Sequence, residues 1–300
     1  MIFILFFLPI SGYAQNINTI AGTNTAGHGG DGGLDTAAEL NFPRGLAFDD
    51  TGNLYIADAD NNAIRKISVN GIITTIAGAK FNRNYSGDGG PAVKADLNSP
   101  TSVTVDDKGN IYFADWGNFR VRKIDTAGII TTVPTSYPLG EPENIAVDHK
   151  GNLYVGSSGL PFISKRSPTG VETIFAGQYP YGSGYSGDGG LATAAKIAGV
   201  AGIVADDTGN IYILDDHRIR KISTSGIITT IAGTGITKDS GDGGLATKAS
   251  FQSLEAIAID KAGNIYASSH FKIRKISASA TFQLLPEGIL PVLPEMEDPQ

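Results

Sequence analysis

A four-residue pattern, Gly-Asn-apolar-Tyr, occurs five times in this chain and constrains its fold more than any other feature. The tyrosines of successive copies lie between 42 and 58 residues apart. Spacings of this size are typical of repeats in which about 40 to 45 residues form four short strands. The chain is therefore predicted to be an array of repeated sheets. The five copies begin at Gly52, Gly109, Gly151, Gly209 and Gly263.

Each copy lies inside a longer unit that divides into four short strands, here called a, b, c and d in chain order. The apolar stretches are rich in β-branched residues, and Gly, Asn and Asp lie between them, which is typical of strands joined by tight turns. No segment has a sustained helical period. An all-β propeller of four-stranded antiparallel blades is the predicted fold. In the first unit the strands are expected at 45–49, 54–58, 63–68 and 72–78.

Within these units the chain resembles the NHL-repeat family. Asp58, Asn61, Ile64 and Lys66 match the Asp…Asn…Ile…Lys signature of that family, and the second unit repeats it at Asp115, Asn118, Val121 and Lys123. The resemblance extends over residues 17–285. Two units depart from it, because Ser157 and Ser268 stand where the aspartate is expected. The resemblance implies a propeller, and the family includes binding scaffolds, sensor ectodomains and a few enzymes.

The ends of the repeat array suggest how the propeller closes. Residues 17–22 have the pattern of a d strand, although no a, b or c strand precedes them. Residues 278–285, where the last d strand is expected, have lost that pattern. We therefore expect five blades, closed by pairing of residues 17–22 with the last c strand at 271–277, which removes two exposed sheet edges. The alternative is an incomplete propeller of six blades, a common number in the family that the chain resembles.

The two termini are predicted to lie outside the propeller domain, residues 15–285. Residues 1–10 are almost wholly apolar, and Gly12 and Ala14 have the small side chains of a secretory cleavage site. A signal peptide is expected at 1–14, with no transmembrane segment after its removal. The tail at 286–300 is rich in proline and acidic residues, so we expect it to be disordered. The chain lacks cysteine, which favours a secreted, periplasmic or cell-surface protein of a bacterial envelope over a disulfide-stapled animal ectodomain.

The charge of the chain limits the class of partner. The formal net charge is −7 and the sequence pI is about 5.1. Proteins that bind nucleic acid usually present a basic face, so no nucleic-acid partner is expected. We expect a monomer that binds a protein or a carbohydrate.

The candidate binding residues lie on loops. Because strands alternate in direction within a blade, the d–a connections and the b–c loops are expected at one edge, and these are the long ones. The single tryptophan, Trp116, lies on a b–c loop, where an aromatic side chain can form a recognition surface. The candidates at this loop-rich face are Trp116, Asp115, Asp58, Asp60, Asp215, Asp216, His217, His270, Tyr85 and Tyr185.

Four d–a connections contain Gly-Asp-Gly-Gly followed by an alanine-rich stretch. Carboxylates in loops are typical calcium ligands, but calcium takes six to eight oxygens and each loop offers one dependable carboxylate. A structural role, in which each aspartate holds turn amides, is the favoured reading. No cofactor is expected, and calcium is the alternative. The four aspartates are Asp31, Asp88, Asp188 and Asp242.

Two histidines raise the alternative of an enzyme. His217 and His270 lie on b–c loops of neighbouring repeats and, with Asp215 or Asp216, are candidates for acid–base chemistry or metal binding. The resemblance allows this, since propellers related to this family include a lyase and lactonase-like hydrolases. The chain has no Ser-His-Asp order and no metal-ligand spacing among its motifs. A binding or scaffold propeller outside the cytoplasm is therefore the leading hypothesis, and a lyase or lactonase-like hydrolase is the alternative.

Overall fold

A computed structural model of the chain describes residues 19–23, 25–78, 83–137, 140–180, 182–269 and 272–278. The described residues form five antiparallel sheets, each with its strands in chain order. The first sheet has β1 (Pro43–Phe48), β2 (Leu54–Asp58), β3 (Ala63–Ile67) and β4 (Ile73–Ala77). The second has β5 (Pro100–Val105), β6 (Ile111–Asp115), β7 (Arg120–Ile124) and β8 (Ile130–Thr132).

The remaining three sheets continue the same order. The third has β9 (Asn144–Val147), β10 (Leu153–Gly156), β11 (Phe162–Arg166) and β12 (Glu172–Gly177). The fourth has β13 (Val200–Ala205), β14 (Ile211–Asp215), β15 (Arg218–Ile222) and β16 (Ile228–Ala232). The fifth has three strands among the described residues: β17 (Ala256–Ile259), β18 (Ile265–Ser269) and β19 (Lys272–Ile276).

Each sheet is one blade, so the prediction of a five-bladed β-propeller is confirmed. The predicted pairing of residues 17–22 with 271–277 includes 17, 18 and 271, which lie outside the described residues. The predicted signal peptide at 1–14 and the tail at 286–300 also lie outside them.

Helix is confined to single 3₁₀ turns of three residues in the described part of the chain. No helix there has the length and apolar character needed to cross a membrane. The alanine-rich stretches form four of these turns, as expected, and Ala92 and Ala192 are buried in them. The turns are Asp35–Ala37, Ala59–Asn61, Ala92–Lys94, Trp116–Asn118, Ala192–Ala194 and Ala246–Lys248.

The chain divides into two compact units, residues 1–147 and 148–300. In the first unit, the main apolar cluster joins the first two sheets. Ile64 of β3 and Ala57 of β2 pack with Val103 of β5 and Phe113 of β6, and Leu97 of the intervening loop fills the same cluster. The faces of these sheets pack through a few β-branched and aromatic side chains because alanine allows close approach.

The second unit repeats this packing between the fourth and fifth sheets. Leu214 of β14 and Ile219 of β15 pack with Ala267 of β18, and Phe251 from the intervening loop takes the place that Leu97 has in the first unit. The same positions of the repeat thus form the core in both units.

The Gly-Asn-apolar-Tyr pattern forms a clamp at the edge of each sheet that carries the short turns. In the fourth sheet Asp206 accepts hydrogen bonds from the backbone and side-chain nitrogens of Asn210 at 2.8 Å each and from the Tyr212 hydroxyl at 3.1 Å. The Asn210 side-chain oxygen accepts the backbone N–H of Thr224 in the c–d turn at 3.2 Å. One aspartate therefore fixes both turns at this edge. The clamp aspartates are Asp49, Asp106, Asp148, Asp206 and Asp260.

The tyrosine of the clamp also packs against the lysine of the repeat signature. Tyr212 and Lys221 are cross-strand partners, and the Lys221 ammonium lies 5.5 Å from the ring centroid. Burial, and then the charge of Asp206, raise the pKa of Tyr212 to about 12. Tyr55 and Tyr112 likewise have a pKa raised to about 12 by burial and by their clamp aspartates.

These pKa values predict a high-pH limit to stability. A tyrosine whose pKa is near 12 in the folded chain and near 10 in the unfolded chain stabilises the fold below pH 10, and this contribution is lost as the pH rises towards 12. We expect the tyrosinate absorbance of the native chain to show a group titrating near 12, which moves to about 10 in urea. Asp206→Asn should lower the pKa of Tyr212. A native titration with every tyrosine near 10 would contradict this account.

Candidate functional site

An arginine from strand c lies buried beneath the long loops in four of the five sheets. The side chains of Arg65, Arg122 and Arg220 are completely buried, and Arg274 is 9% exposed. A buried guanidinium is stable only when its donors are paired, so its surroundings must supply acceptors at fixed positions. The repeated arginines of strand c are compatible, from the sequence, with packing between blades or with surface solvation; their burial supports the first alternative.

The fourth sheet shows how the guanidinium is paired. Arg220 Nη1 lies 2.9 Å from an oxygen of Asp215, and Nη2 lies 2.7 Å from an oxygen of Asp188. The same nitrogens donate to the backbone carbonyls of Lys196 and Ser186, at 2.9 Å each. The b–c loop, the Gly-Asp-Gly-Gly loop and strand c are therefore joined at one charged group.

The first and second sheets have a similar arrangement, although the buried Nε of Arg65 and of Arg122 has no hydrogen-bond partner among the described residues, whereas Nε of Arg220 donates to Asp188. Arg65 lies 3.1 Å from Asp58 and 2.9 Å from Asp31. Arg122 lies 3.2 Å from Asp115 and 2.8 Å from Asp88. This confirms, within each of these sheets, that the b–c loop and the loop before strand a meet at the same edge.

The first carboxylate of each pair is a buried structural group. Asp58, Asp115 and Asp215 are at most 1% exposed, and burial raises the pKa of each despite the hydrogen bonds and arginine charge that oppose it. Asp115 accepts a hydrogen bond from Asn118 at 2.9 Å, and Asn61 donates to Asp58 at 2.8 Å. The Asp…Asn signature is therefore a loop brace. These three aspartates, expected at the binding surface, are buried, so their carboxylates are not accessible to a partner.

The second carboxylate, from Gly-Asp-Gly-Gly, joins its loop to strand d. The free oxygen of Asp188 accepts the backbone N–H of Thr230 at 2.9 Å, and the Tyr185 hydroxyl donates to the same oxygen at 2.9 Å. Burial alone would raise the pKa of Asp188, but hydrogen bonds from Thr230 and Arg220 hold it below its usual value. Asp31 accepts the N–H of Thr75 at 3.1 Å in the same way.

Glycine is required at the start of this loop. Gly87 has φ +95°, and a Cβ there would lie 2.6 Å from the Cβ of Ala95. The close approach brings the aspartate over the arginine. It also explains why an alanine-rich turn follows each of these loops.

The four Gly-Asp-Gly-Gly aspartates each face an arginine, a geometry that disfavours a cation at the same oxygens. No group of three or more His, Asp or Glu side chains that could hold a metal ion occurs among the described residues. Calcium binding at Asp31, Asp88, Asp188 or Asp242 stays an untested alternative, and pairing with arginine is the structural role of these side chains.

The third sheet departs from the pattern at all three positions together. Ser157 replaces the strand-b aspartate, Ser164 occupies the arginine position of strand c, and the loop at 134–142 lacks Gly-Asp-Gly-Gly. The coincidence of these changes was the signal in the sequence that could have identified the ion pair. It shows that the three residues form one unit.

The fifth sheet keeps part of the unit and corrects one assignment. Arg274 Nε donates to Asp242 at 2.7 Å, but Ser269, and not Ser268, stands at the position of the strand-b aspartate. Its hydroxyl donates to Asp239 at 2.9 Å. Because side chains alternate along a strand, those of Ser268 and Ser269 point to opposite faces of β18.

Aromatic and cationic side chains of the second sheet, some half-buried and some exposed, lie on the b–c loop and the loop before strand a. Trp116 is partly buried in its 3₁₀ turn, and Phe119 is 59% exposed at φ +58°. The Arg120 guanidinium lies 4.1 Å from the centre of the Tyr85 ring, and the Tyr85 hydroxyl donates to Asp88 at 2.8 Å. In the first sheet Asp60 is exposed, 3.8 Å from Arg83.

The fourth sheet has a related group in the second unit. The Arg218 guanidinium lies 3.7 Å from the centre of the Tyr185 ring. His217 Nε2 lies 3.3 Å from Asp216 and 3.1 Å from the Thr237 hydroxyl. His270, the second histidine of the enzyme hypothesis, lies outside the described residues.

Comparison with known families gives a match over most of the described chain. The family model described as Teneurin NHL domain matches residues 13–84, 78–140 and 170–240, which is more than half of the chain. Mouse teneurin-1 is 38% identical over 97 residues, covering 28% of this chain and 4% of the relative. Human teneurin-4 is 40% identical over 99 residues, covering 29% and 4%. The chain thus spans a small fraction of these relatives.

Solved structures share the fold at low identity. An auxiliary nutrient binding protein from Bacteroides ovatus is 20% identical with a TM-score of 0.60, over 80% of this chain and 60% of that chain. A nidogen/laminin complex gives 19% and 0.55, over 77% and 73%. A streptogramin B lyase gives 16% and 0.51, over 78% and 64%. At such identities the likeness concerns the fold alone.

The ion pairs of Arg220 predict that a triple variant of the fourth sheet is more stable than a single variant. Arg220→Ala should lower the free energy of unfolding by about 3–5 kcal/mol, because the buried carboxylate of Asp215 loses its cation, and the partly exposed Asp188 loses it as well. Changing Arg220, Asp188 and Asp215 together to serine imitates the third sheet and should cost less than the single change. Urea denaturation measures both. A triple variant less stable than Arg220→Ala would contradict the assignment of a single unit.

Removal of divalent cations tests the calcium alternative. Since each candidate carboxylate is held by an arginine, we expect the same melting temperature in excess chelator and in millimolar calcium. Asp188→Ala should lower the melting temperature equally in both conditions. A drop on chelation that Asp188→Ala abolishes would instead identify a calcium site there.

Proposed function

The chain belongs to the Teneurin NHL domain family, and from this premise we propose that it is a binding propeller that recognises a protein partner outside the cytoplasm. The proposed contact surface is the group of aromatic and cationic side chains on the second sheet: Trp116, Phe119, Arg120 and Tyr85. A carbohydrate ligand at the same surface is the alternative. The buried aspartates beneath are its support.

The conformation of Phe119 is the observation that carries this proposal. A bulky side chain at positive φ costs about 1–2 kcal/mol relative to the right-handed region, and Phe119 is also left largely exposed to water. At the equivalent position of the first sheet the chain has Asn62 at φ +53°, a residue that tolerates this conformation. A strained and exposed aromatic side chain is expected where it has a binding role.

The composition of the surface supports a protein partner. Trp, Tyr and Arg are the residues most enriched among those that dominate binding energy at protein interfaces. The Arg120 guanidinium lies 4.1 Å from the centre of the Tyr85 ring, and the Tyr85 hydroxyl donates to Asp88, so these contacts reduce the side-chain freedom that binding would cost. The neighbour seen in a nidogen/laminin complex is a propeller of related fold, and its presence in a protein complex agrees with such a use of the fold.

The proposed location rests on the sequence of residues 1–14, which has the pattern of a secretory signal. We propose that the chain functions as a monomer in a bacterial envelope or outside the cell. Fractionation of cells that express the full chain, followed by N-terminal sequencing of the product, tests the location and the cleavage site after Ala14.

The first sheet supplies a template for testing the surface. Changing Trp116 to Ala and Phe119 to Asn gives the second b–c loop the side chains present at Ala59 and Asn62. We expect the double variant to keep or slightly exceed the native melting temperature, because positive φ suits asparagine. Partner capture by the mature chain, screened against secreted proteins and a glycan array, should fall at least tenfold.

A control variant removes an exposed apolar side chain at a different place. Val69 is 65% exposed in a c–d turn of the first sheet, away from the loops, so Val69→Asn should leave capture unchanged. If the double variant retains every ligand of the native chain, the surface is not the binding site. Loss of glycan ligands alone would favour the carbohydrate alternative.

A further inference from the structure

In the second and fourth sheets, an arginine at the start of strand c stacks on a tyrosine from the loop before strand a. The Arg120 guanidinium lies 4.1 Å from the centre of the Tyr85 ring, and the Arg218 guanidinium lies 3.7 Å from that of Tyr185. Each tyrosine donates its hydroxyl to the Gly-Asp-Gly-Gly aspartate of its own sheet. The ring that supports the arginine is therefore fixed in place.

The first sheet shows that this stack is not a requirement of the fold. Ala63 stands at the position of the arginine, and His28 stands three residues before the loop aspartate, at the position of the tyrosine. Arg65 nevertheless forms its ion pairs with Asp31 and Asp58 there. The outer arginines of the second and fourth sheets are therefore not needed to balance the charge of the inner carboxylates.

The outer arginines lack the carboxylate partner that a cation at this position can have. In the fifth sheet the position is occupied by Lys272, whose ammonium lies 3.5 Å from Asp242. Within the described part of the chain, Arg120 and Arg218 form no ion pair, and each donates to a backbone carbonyl, at 2.7 Å and 2.9 Å respectively. Both are partly exposed. These two positioned cations are therefore available to a negatively charged ligand.

The Arg218 guanidinium is confined by a second group. A Cβ at Gly235, where φ is +83°, would collide with this guanidinium, so only glycine leaves room for it beside the Tyr185 ring. A side chain that is already held loses little freedom on binding. The next residue of the chain, Ile236, is 62% exposed, so it offers apolar contact beside the cation.

We propose that Arg120 and Arg218 each bind a carboxylate from an acidic segment of the protein partner. This rests on the proposed function, since it takes a protein as the ligand, and it adds a second contact site on the fourth sheet. A guanidinium whose face is covered by an aromatic ring keeps its N–H groups at the edge, where two of them match the two oxygens of a carboxylate. Lysine has no such fork.

The charge of the chain favours a carboxylate over a polyanion. Nucleic acids and other polyanions are bound through extended basic surfaces, and a formal net charge of −7 opposes their approach. A single carboxylate needs only one cation at a fixed position. The excess of negative charge also weakens the attraction of an acidic segment to other parts of the surface. The two arginines therefore determine where such a segment binds.

The test uses the full mature chain and an array of peptides, each present in two forms that differ only in glutamate or glutamine at the central position. We expect a subset of the glutamate forms to bind at least tenfold more tightly than their glutamine forms. Arg120→Ala and Arg218→Ala should each remove this preference for part of the subset, and the double variant should remove it for all of the subset. Both changes reproduce Ala63 of the first sheet, so the melting temperature should stay close to the native value.

Two further variants separate a bidentate contact from a general effect of charge. Arg218→Lys keeps the charge without the fork, so the glutamate forms that depend on Arg218 should still lose at least half of their preference. Arg44→Ala removes an exposed arginine of β1 and should leave every preference unchanged. Equal binding of the two peptide forms across the array, or the same loss of preference in Arg44→Ala, overturns the proposal.

Partner capture by the same variants separates this proposal from the proposed function. Capture that depends on Trp116 and Phe119 but on neither arginine overturns the carboxylate contacts and leaves the binding propeller intact. Failure to capture any protein contradicts the proposed function, while the array still decides whether the two arginines bind carboxylates.

Discussion

In the first, second and fourth sheets the loop-bearing edge depends on a guanidinium buried between two carboxylates. Water cannot solvate the head group of Arg220, so each of its nitrogens must find an acceptor at a fixed place. One acceptor comes from the end of strand b, one from the loop before strand a, and two from backbone carbonyls. A glycine-rich loop, which would otherwise sample many conformations, is thereby held in one.

The opposite edge is fixed by different chemistry. There, Asp206 and its equivalents satisfy the short turns through asparagine and tyrosine, without a buried cation. The two clamps act at the ends of strands that are only three to six residues long, where a strand pair alone is marginally stable. This arrangement explains how a chain without cysteine can be built from small sheets with alanine at their contact faces.

Much of the fold could be predicted from the sequence, because the repeat and its turn residues are local signals. The five Gly-Asn-apolar-Tyr copies identified the blades, and the alanine-rich turns were found where expected. The ion pairs were missed because Asp31 and Arg65 lie 34 residues apart, and a strand pattern places an arginine on a face without indicating burial. The third repeat has lost the aspartate, the arginine and Gly-Asp-Gly-Gly together. This coincidence indicates the ion pair, but only when the three changes are considered together.

The b–c loop contains residues that stabilise its conformation and residues that we propose to contact a partner. Asn61 and Asn118 are both buried and donate to the strand-b aspartate, so this position is fixed by the fold. Two other positions of the loop differ between the sheets: Ala59 and Asn62 in the first correspond to Trp116 and Phe119 in the second. Because the brace stabilises the loop whichever residues flank it, the second loop can hold Phe119 in an unfavourable conformation without losing its shape. A rigid support that tolerates such a residue is what a binding surface on a repeat protein requires.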